Sequence, residues 1–387
     1  MGKIVTHPSL AIKIVTRDNY KGFKSSLESV YDDVTKGKLD PAIIVIDDSR
    51  NRENRQRNRD MLLKIFEKDS FSIYYLGRGE YAMAMAEAPS KTKQKMLLLI
   101  GMLGSETYQP SRAKNASQCV DAGSTYDLLL DGDVTIRSQG MSKGGIIGES
   151  LAKAKANDSY VSVRLKGFPD VSLVQLLERS IIRDGDRLHN WNEDDSPYSL
   201  SGGFLLYARE EDLPIFPNLY NEDFLWVAYG ATRRHKKTAK LDLDVLHQPT
   251  NVKCFCLNRL AYEARGEISF ATVNETVIED MIENQTLPNS IEIKSAIREY
   301  REYIKHVMLL LRKHDQSTPL HSNYLGKVDL RECGKILSKH LEDIRGISYR
   351  TIQNLFENWV RYQNEWIKAK QAITGYVTEK ATLSYSY

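Results

Sequence analysis

The stretch Leu128-Leu129-Leu130-Asp131-Gly132-Asp133 decides how this chain is read. Consecutive leucines without polar alternation read as a strand buried on both faces, as in the middle of an α/β sheet. That strand ends in two carboxylates separated by one glycine. In open α/β sheets, ligands bind outside the carboxyl ends of the strands, so both acids stand where a substrate would lie. A carboxylate pair there suits a hard divalent cation, which in turn bridges the phosphates of a nucleotide. The same pair is also an ordinary acidic turn after a strand, so its neighbourhood has to decide.

Working outward, Leu10–Thr16, Ala42–Ile46, Phe71–Leu76 and Tyr126–Leu130 are apolar, strand-length runs. Between them, Lys21–Val34, Arg52–Lys68 and Lys91–Leu103 carry helical spacing. Strands alternating with helices argue a mostly parallel sheet. Further strands are expected at Ser159–Leu165, Gly202–Tyr207 and Thr238–Leu246. From about Thr272 the texture changes, and Ile291–Arg312, Leu330–Ile344 and Ser348–Ile373 read as packed amphipathic helices. The expected organisation is an α/β unit over residues 1–260 and a helical region over 261–387, with a soft boundary near 255–272. The tyrosine-rich tail from Thr374 reads as a polar segment prone to fray.

Composition limits the choices. The chain has 387 residues, 41% hydrophobic and 27% charged, so a sizeable core is available. Its net charge of +3 is too balanced for a dedicated nucleic-acid binder. Cys254 and Cys256 lack the second pair that a zinc site needs, and with Cys119 and Cys333 they read as reduced thiols. No apolar run reaches the roughly 18 residues of a spanning helix. The N-terminus lacks the roughly 7–15 apolar residues of a secretory core. The expectation is a cytoplasmic protein that meets a membrane only peripherally, in which the four N-x-S/T triplets are chance matches.

Three expected strand ends present polar groups along one sheet edge: Thr16-Arg17-Asp18, Asp47-Asp48-Ser49 and Asp131-Gly132-Asp133. Ser111-Arg112-Ala113-Lys114-Asn115 precedes the third as a helix. With these in order, the chain resembles the GT-A superfamily of glycosyltransferases, and especially its large inverting family with Asp-Asp-x-Ser and D-x-D motifs. The pattern departs in two places: Asp47-Asp48-Ser49 lacks a residue before the serine, and Arg112 and Asn115 are separated by two residues. Downstream, Leu200-Ser201-Gly202-Gly203-Phe204 resembles the glycine loop beside the donor sugar. Asn221-Glu222-Asp223 resembles the x-E-D motif, and His247 resembles the histidine that completes metal coordination.

The resemblance, over roughly residues 8–250, implies a Rossmann-like GT-A sheet with a C-terminal helical extension. It implies a nucleotide-sugar donor, UDP- or GDP-linked, and Mn²⁺ or Mg²⁺ held by Asp131, Asp133 and His247. Arg17, Asp47, Asp48, Arg112, Asn115, Asp131, Gly202 and Gly203 would bind the donor. Asp223, with Glu222 beside it, would be the base for an acceptor hydroxyl, with inversion; relatives with similar motifs retain configuration, so the stereochemistry stays open. The acceptor class is open among a glycan, a lipid-linked glycan, a modified base and a small metabolite. Homo-oligomers would form through the C-terminal helices, which could equally lie on the acceptor side.

Plainer readings stand beside these. Glu222 and Asp223 suit any first helical turn, Gly202-Gly203 suits a tight turn, and His247 suits a structural hydrogen bond. The arginine run from Arg50 to Arg59 puts Arg52, Arg55 and Arg59 on one helix face, either solvated or gripping phosphates. Gly77-Arg78-Gly79-Glu80 is not a dinucleotide fingerprint. Tyr300, Tyr303, Trp359, Tyr362 and Trp366 read as helix packing. The rival functions are a nucleotidyltransferase on a similar fold and a nucleic-acid binder using the arginine helix.

Overall fold

The computed structural model describes residues 8–383 apart from 67–68, 70, 93, 95–109, 138–143, 168–172, 183–202, 218–221, 248–259, 261–279, 281–288, 315–319 and 323–325. Strands form where the β-branched runs lie: β1 (Leu10–Thr16), β2 (Ala42–Asp47), β3 (Ile73–Gly77) and β4 (Tyr126–Asp131). β5 (Val134–Ile136), β6 (Ser159–Gly167), β7 (Phe204–Ala208) and β8 (Lys237–His247) complete the sheet. Its order is β3-β2-β1-β4-β7-β6-β8-β5. β1 pairs in parallel with β2 and β4, β2 with β3, and β6 with β8. The β4–β7, β6–β7 and β5–β8 pairs are antiparallel, so the half beyond β4 is mixed.

Alternation decides which side chain faces which layer. In β2, Ile43 and Val45 face α1 (Tyr20–Gly37) and α2 (Arg52–Phe66), in one cluster with Phe23, Leu27, Met61 and Leu62. Ala42, Ile44 and Ile46 face the other layer. That layer includes α3 (Arg78–Glu87) and α4 (Pro110–Ser117), whereas α5 (Gly145–Asn157) lies with α1. α6 (Leu173–Ile182) and α7 (Glu222–Arg234) cover the α4 face further along. Burial on both faces is why these strands read as uninterrupted apolar runs.

The C-terminal helices α8 (Ser290–Lys313), α9 (Leu330–Gly346) and α10 (Tyr349–Ala381) continue that same core. The small β9 (Leu320–Ser322) and β10 (Gly326–Val328) ribbon lies between the first two. Trp366, Ile373 and Val377 of α10 are fully buried, in the same cluster as Leu76 and Tyr81. The described part of the tail is therefore ordered: helix runs to Ala381, whose side chain is buried, rather than fraying from Thr374. Thr382 bridges to Tyr74, and the Leu383 N–H donates to the Ile73 carbonyl, which pairs the open edge of β3. Trp359, Trp366 and Tyr300 are packing residues, as expected.

The expected mostly parallel sheet flanked by helices, with a C-terminal helical extension, is present. Three sequence expectations lie outside the described residues: the boundary at 255–272, Cys254 and Cys256, and most of the helix at 91–103. Among the described residues no helix is long and apolar enough to cross a membrane.

Candidate functional site

The strand order reverses at β1, whose parallel neighbours are β2 on one side and β4 on the other. Register aligns their carboxyl ends, pairing Thr16 with Asp47 and Val15 with Asp131. Asp48, Asp131 and Asp133 therefore stand along one crevice, where open α/β sheets bind ligands. The glycine between the acids is there for closeness: the Gly132 N–H donates to the Val15 carbonyl at 2.8 Å. A Cβ on Gly132 would lie 2.9 Å from that carbonyl oxygen and 2.9 Å from the Thr16 Cβ. Only a residue without a side chain lets the acidic turn lie against β1.

At the acidic end of the crevice, pairing of Val134 with His247 brings the histidine beside the D-x-D turn. His247 Nε2 lies 3.5 Å from Asp133 Oδ1. Among the described residues, no group of three His, Cys, Asp or Glu side chains closes a cage on an ion. The Asp133–His247 pair, with Asp131 next to it, nevertheless fits a cation such as Mg²⁺ or Mn²⁺. Such ions are commonly held by one or two protein ligands and by substrate phosphates. Gly203 lies behind this turn and accepts from the Asp131 N–H at 3.2 Å; Gly202 lies outside the described residues.

Glu222 and Asp223 open α7 and meet a group the motif reading passed over, the ammonium of Lys114 on α4. Lys114 Nζ lies 2.5 Å from Asp223 Oδ2, 3.0 Å from Glu222 Oε1 and 3.8 Å from Asp131 Oδ1. Burial alone would lower the lysine pKa, but the charges of Asp131, Asp223 and Glu222 outweigh it and hold the group well above its usual value. One positive charge faces three carboxyl groups. Burial pushes the Asp223 carboxyl well above the usual range, with Lys114 opposing and Glu222 reinforcing. Burial likewise pushes Asp131 up to about 6, a shift tempered by the 34% of its side chain that stays exposed. Asp223 Oδ1 is buried and takes part in no hydrogen bond.

The other end of the crevice is cationic. Asp48 is buried and pairs with Arg112, with Arg78 at 3.1 Å and with Arg17 at 3.6 Å. Arg78, the first residue of α3, is a second group the motif reading missed, and its Nη2 is buried without a partner. Thr16 Oγ1, at the end of β1, is another buried polar atom with none. Both are atoms that a polar ligand in the crevice would satisfy.

Two expected donor-binding residues are committed elsewhere. Asp47 accepts from Asn58 Nδ2 at 2.9 Å, from the Tyr75 hydroxyl at 2.7 Å and from the Ser49 N–H at 2.9 Å, all on the α2 side. Asn115 exchanges both amide bonds with the Phe216 backbone, at 3.0 and 2.7 Å, and so anchors segment 213–217. Trp359 and Gln363 of α10 hold the same segment at Ile215. The arginine run is also partly committed: Arg55 Nη1 donates to the carbonyls of Ser49 and Arg50, and Arg59 lies 3.7 Å from Glu80.

No protein-family model and no curated protein matches this chain. Among solved structures it is similar to glucosyl-3-phosphoglycerate synthase from Mycobacterium tuberculosis in complex with Mn²⁺, UDP and glucosyl-3-phosphoglycerate. The identity is 14% and the TM-score 0.40, over 68% of this chain and 78% of that one. A mycobacterial protein is 13% identical with a TM-score of 0.42, over 68% and 74% of the two chains. Mannosyl-3-phosphoglycerate synthase from Rubrobacter xylanophilus is 13% identical with a TM-score of 0.36, over 63% and 68%. At these values the functional reading has to stand on the chain's own residues.

Proposed function

We propose that this chain is a GT-A-type glycosyltransferase, which moves a sugar from a UDP- or GDP-sugar to a hydroxyl acceptor with the help of a divalent cation. The observation that carries the reading is a convergence at one strand end. Asp133 and His247 meet there with Asp131 two residues before, and Asp223, from a helix some ninety residues downstream of Asp131, is tied to Asp131 through Lys114.

Asp131, Asp133 and His247 would hold Mn²⁺ or Mg²⁺, which when bound offsets the charge developing on the departing nucleotide. Arg17 and Arg78 line the cationic end and are the groups available to the anionic part of the donor, with Arg112 buried behind them against Asp48. Asp223 keeps one buried oxygen free to accept the proton of an acceptor hydroxyl. Its raised pKa brings it closer to the range in which a general base works best. Attack on the anomeric carbon opposite the leaving nucleotide gives inversion in one displacement.

The test is to incubate the protein and its Asp223→Asn variant with UDP- and GDP-sugars, Mn²⁺ and a panel of hydroxyl acceptors, following release of the nucleoside diphosphate. The reading predicts release by the parent and a loss of about a hundredfold or more in the variant, with nucleotide binding kept. Release of pyrophosphate from a nucleoside triphosphate would instead point to a nucleotidyltransferase.

A further inference from the structure

Glycosyl transfer through Asp223 leaves Lys114 without a part, although it contacts three carboxylates of the acidic end. Its position is fixed from both sides along α4. Two residues before it Arg112 is locked to Asp48, and the next residue, Asn115, is bonded twice to Phe216. Gln118, one turn on, donates to the Pro214 carbonyl at 2.9 Å. The ammonium is thus delivered from a pinned backbone, with 2% of the residue exposed. Its partners belong to two different elements: Asp131 ends β4, and Glu222 and Asp223 open α7. An ammonium offers three donors in directions it can choose, so one lysine can serve three carboxylates at once.

The distances are graded. Asp223 and Glu222 are held at hydrogen-bond range, and Asp131 at 3.8 Å only by charge. The lysine engages one oxygen of Asp223 and leaves the other, also buried, without a partner. An ammonium in this place does two things that no other described group does. It fixes the Asp223 carboxylate through one chosen oxygen, Oδ2, and it sets the spacing between that carboxylate and the D-x-D turn.

We propose that Lys114 is a positioning residue that couples the donor end of the site to the base, by holding Asp223 at a fixed place relative to Asp131. The inference rests on the glycosyl-transfer reading and deepens it. Lys114 touches neither reacting atom; it acts through Asp223.

The experiment compares Lys114→Gln and Lys114→Arg with the parent chain in two readouts. One is Mn²⁺-dependent binding of UDP or GDP, whichever binds the parent, by calorimetry. The other is kcat and KM with the nucleotide sugar that the release assay selects. The expected result is a split: in K114Q the nucleotide Kd and the donor KM stay within about threefold while kcat falls about a hundredfold or more. K114R, which keeps the charge and displaces it, recovers at least tenfold of that loss but stays below the parent. A merely structural lysine would weaken nucleotide binding and turnover together, and that parallel loss would overturn the proposal. So would K114Q turning over within threefold of the parent. If K114Q does not fold, K114R carries the test: parent-level kcat overturns the proposal, and a fall in kcat at unchanged Kd supports it. Asp133→Asn separates the two levels. An inactive D133N beside a normal K114Q refutes only the role of Lys114, whereas a parent chain that releases nucleoside diphosphate from no nucleotide sugar refutes the glycosyl-transfer reading beneath it.

Discussion

Replacing Asp48 with alanine removes the one carboxylate that Arg112, Arg17 and Arg78 share, and the structure sets the scale of the cost. The Arg112 and Asp48 side chains are 1% and 3% exposed, so their pair is fully desolvated. Breaking such a pair from one side costs about 3–5 kcal/mol, because the remaining charge stays buried without its partner. Arg78 and Arg17 are 29% and 17% exposed, so solvent screens them and each adds about 0–1 kcal/mol. The expected loss is therefore about 4 kcal/mol, most of it owed to Arg112. The assay is denaturant unfolding followed by circular dichroism on D48A, on Arg112→Met and on the double variant. If the stranded guanidinium is the cause, adding R112M to D48A recovers at least half of the loss, and the coupling between the two sites exceeds about 2 kcal/mol. A D48A chain within about 1 kcal/mol of the parent, or a double variant no more stable than D48A, would refute the assignment of Asp48 as the anchor of this cluster.

Gly132→Ala should press a methyl group into the Val15 carbonyl and the Thr16 side chain, each 2.9 Å from the new atom, and so lift the acidic turn away from β1. The expected cost is about 1–3 kcal/mol of stability, read by thermal unfolding, with at least tenfold weaker metal-dependent nucleotide binding; an unchanged affinity would contradict the placement of the turn. Lys370 of α10 is 5% exposed, and burial lowers its pKa to about 8, with Lys13 and Arg209 adding to the effect and Cys119 opposing it. A lysine depressed in the fold contributes stability above its unfolded pKa of 10.5 and loses it as pH falls through about 8. Wild-type stability should therefore gain up to about 3 kcal/mol from this group between those pH values. Lys370→Met should lack that gain and should be about 1–3 kcal/mol more stable at pH 7; equal pH profiles for the two chains would contradict it.

Much of the fold was legible because both sheet faces are buried, which leaves unbroken apolar runs at β1, β2 and β4. The acids at their ends were legible for the same reason: polarity returns abruptly where the strand leaves the core. The outer half of the sheet was less so. β7 is expected as a strand, but its place between β4 and β6 depends on long-range pairing that local pattern does not encode. The same holds for the site. Lys114 was passed over because motif reading weighed Arg112 and Asn115 around it, and its partners lie more than a hundred residues away at Glu222 and Asp223. A charged residue between Ala113 and Asn115 on a helix otherwise buried against the sheet was the available signal. Arg78 was weighed only as part of a glycine fingerprint, whereas its position directly after a strand end was the informative feature. Asp47 shows the reverse: it has the right residue type at the right strand end, but β2 alternation turns its side chain toward Asn58 and Tyr75 and away from Asp48.

The most direct test of the central claim is calorimetric titration of UDP and of GDP into the full chain with Mn²⁺, with EDTA, and with Asp133→Asn. The account predicts saturable binding of one nucleotide in Mn²⁺, loss of that binding in EDTA, and at least a hundredfold weaker binding in D133N. Binding that is indifferent to metal and to Asp133, or no binding of either nucleotide, would contradict it.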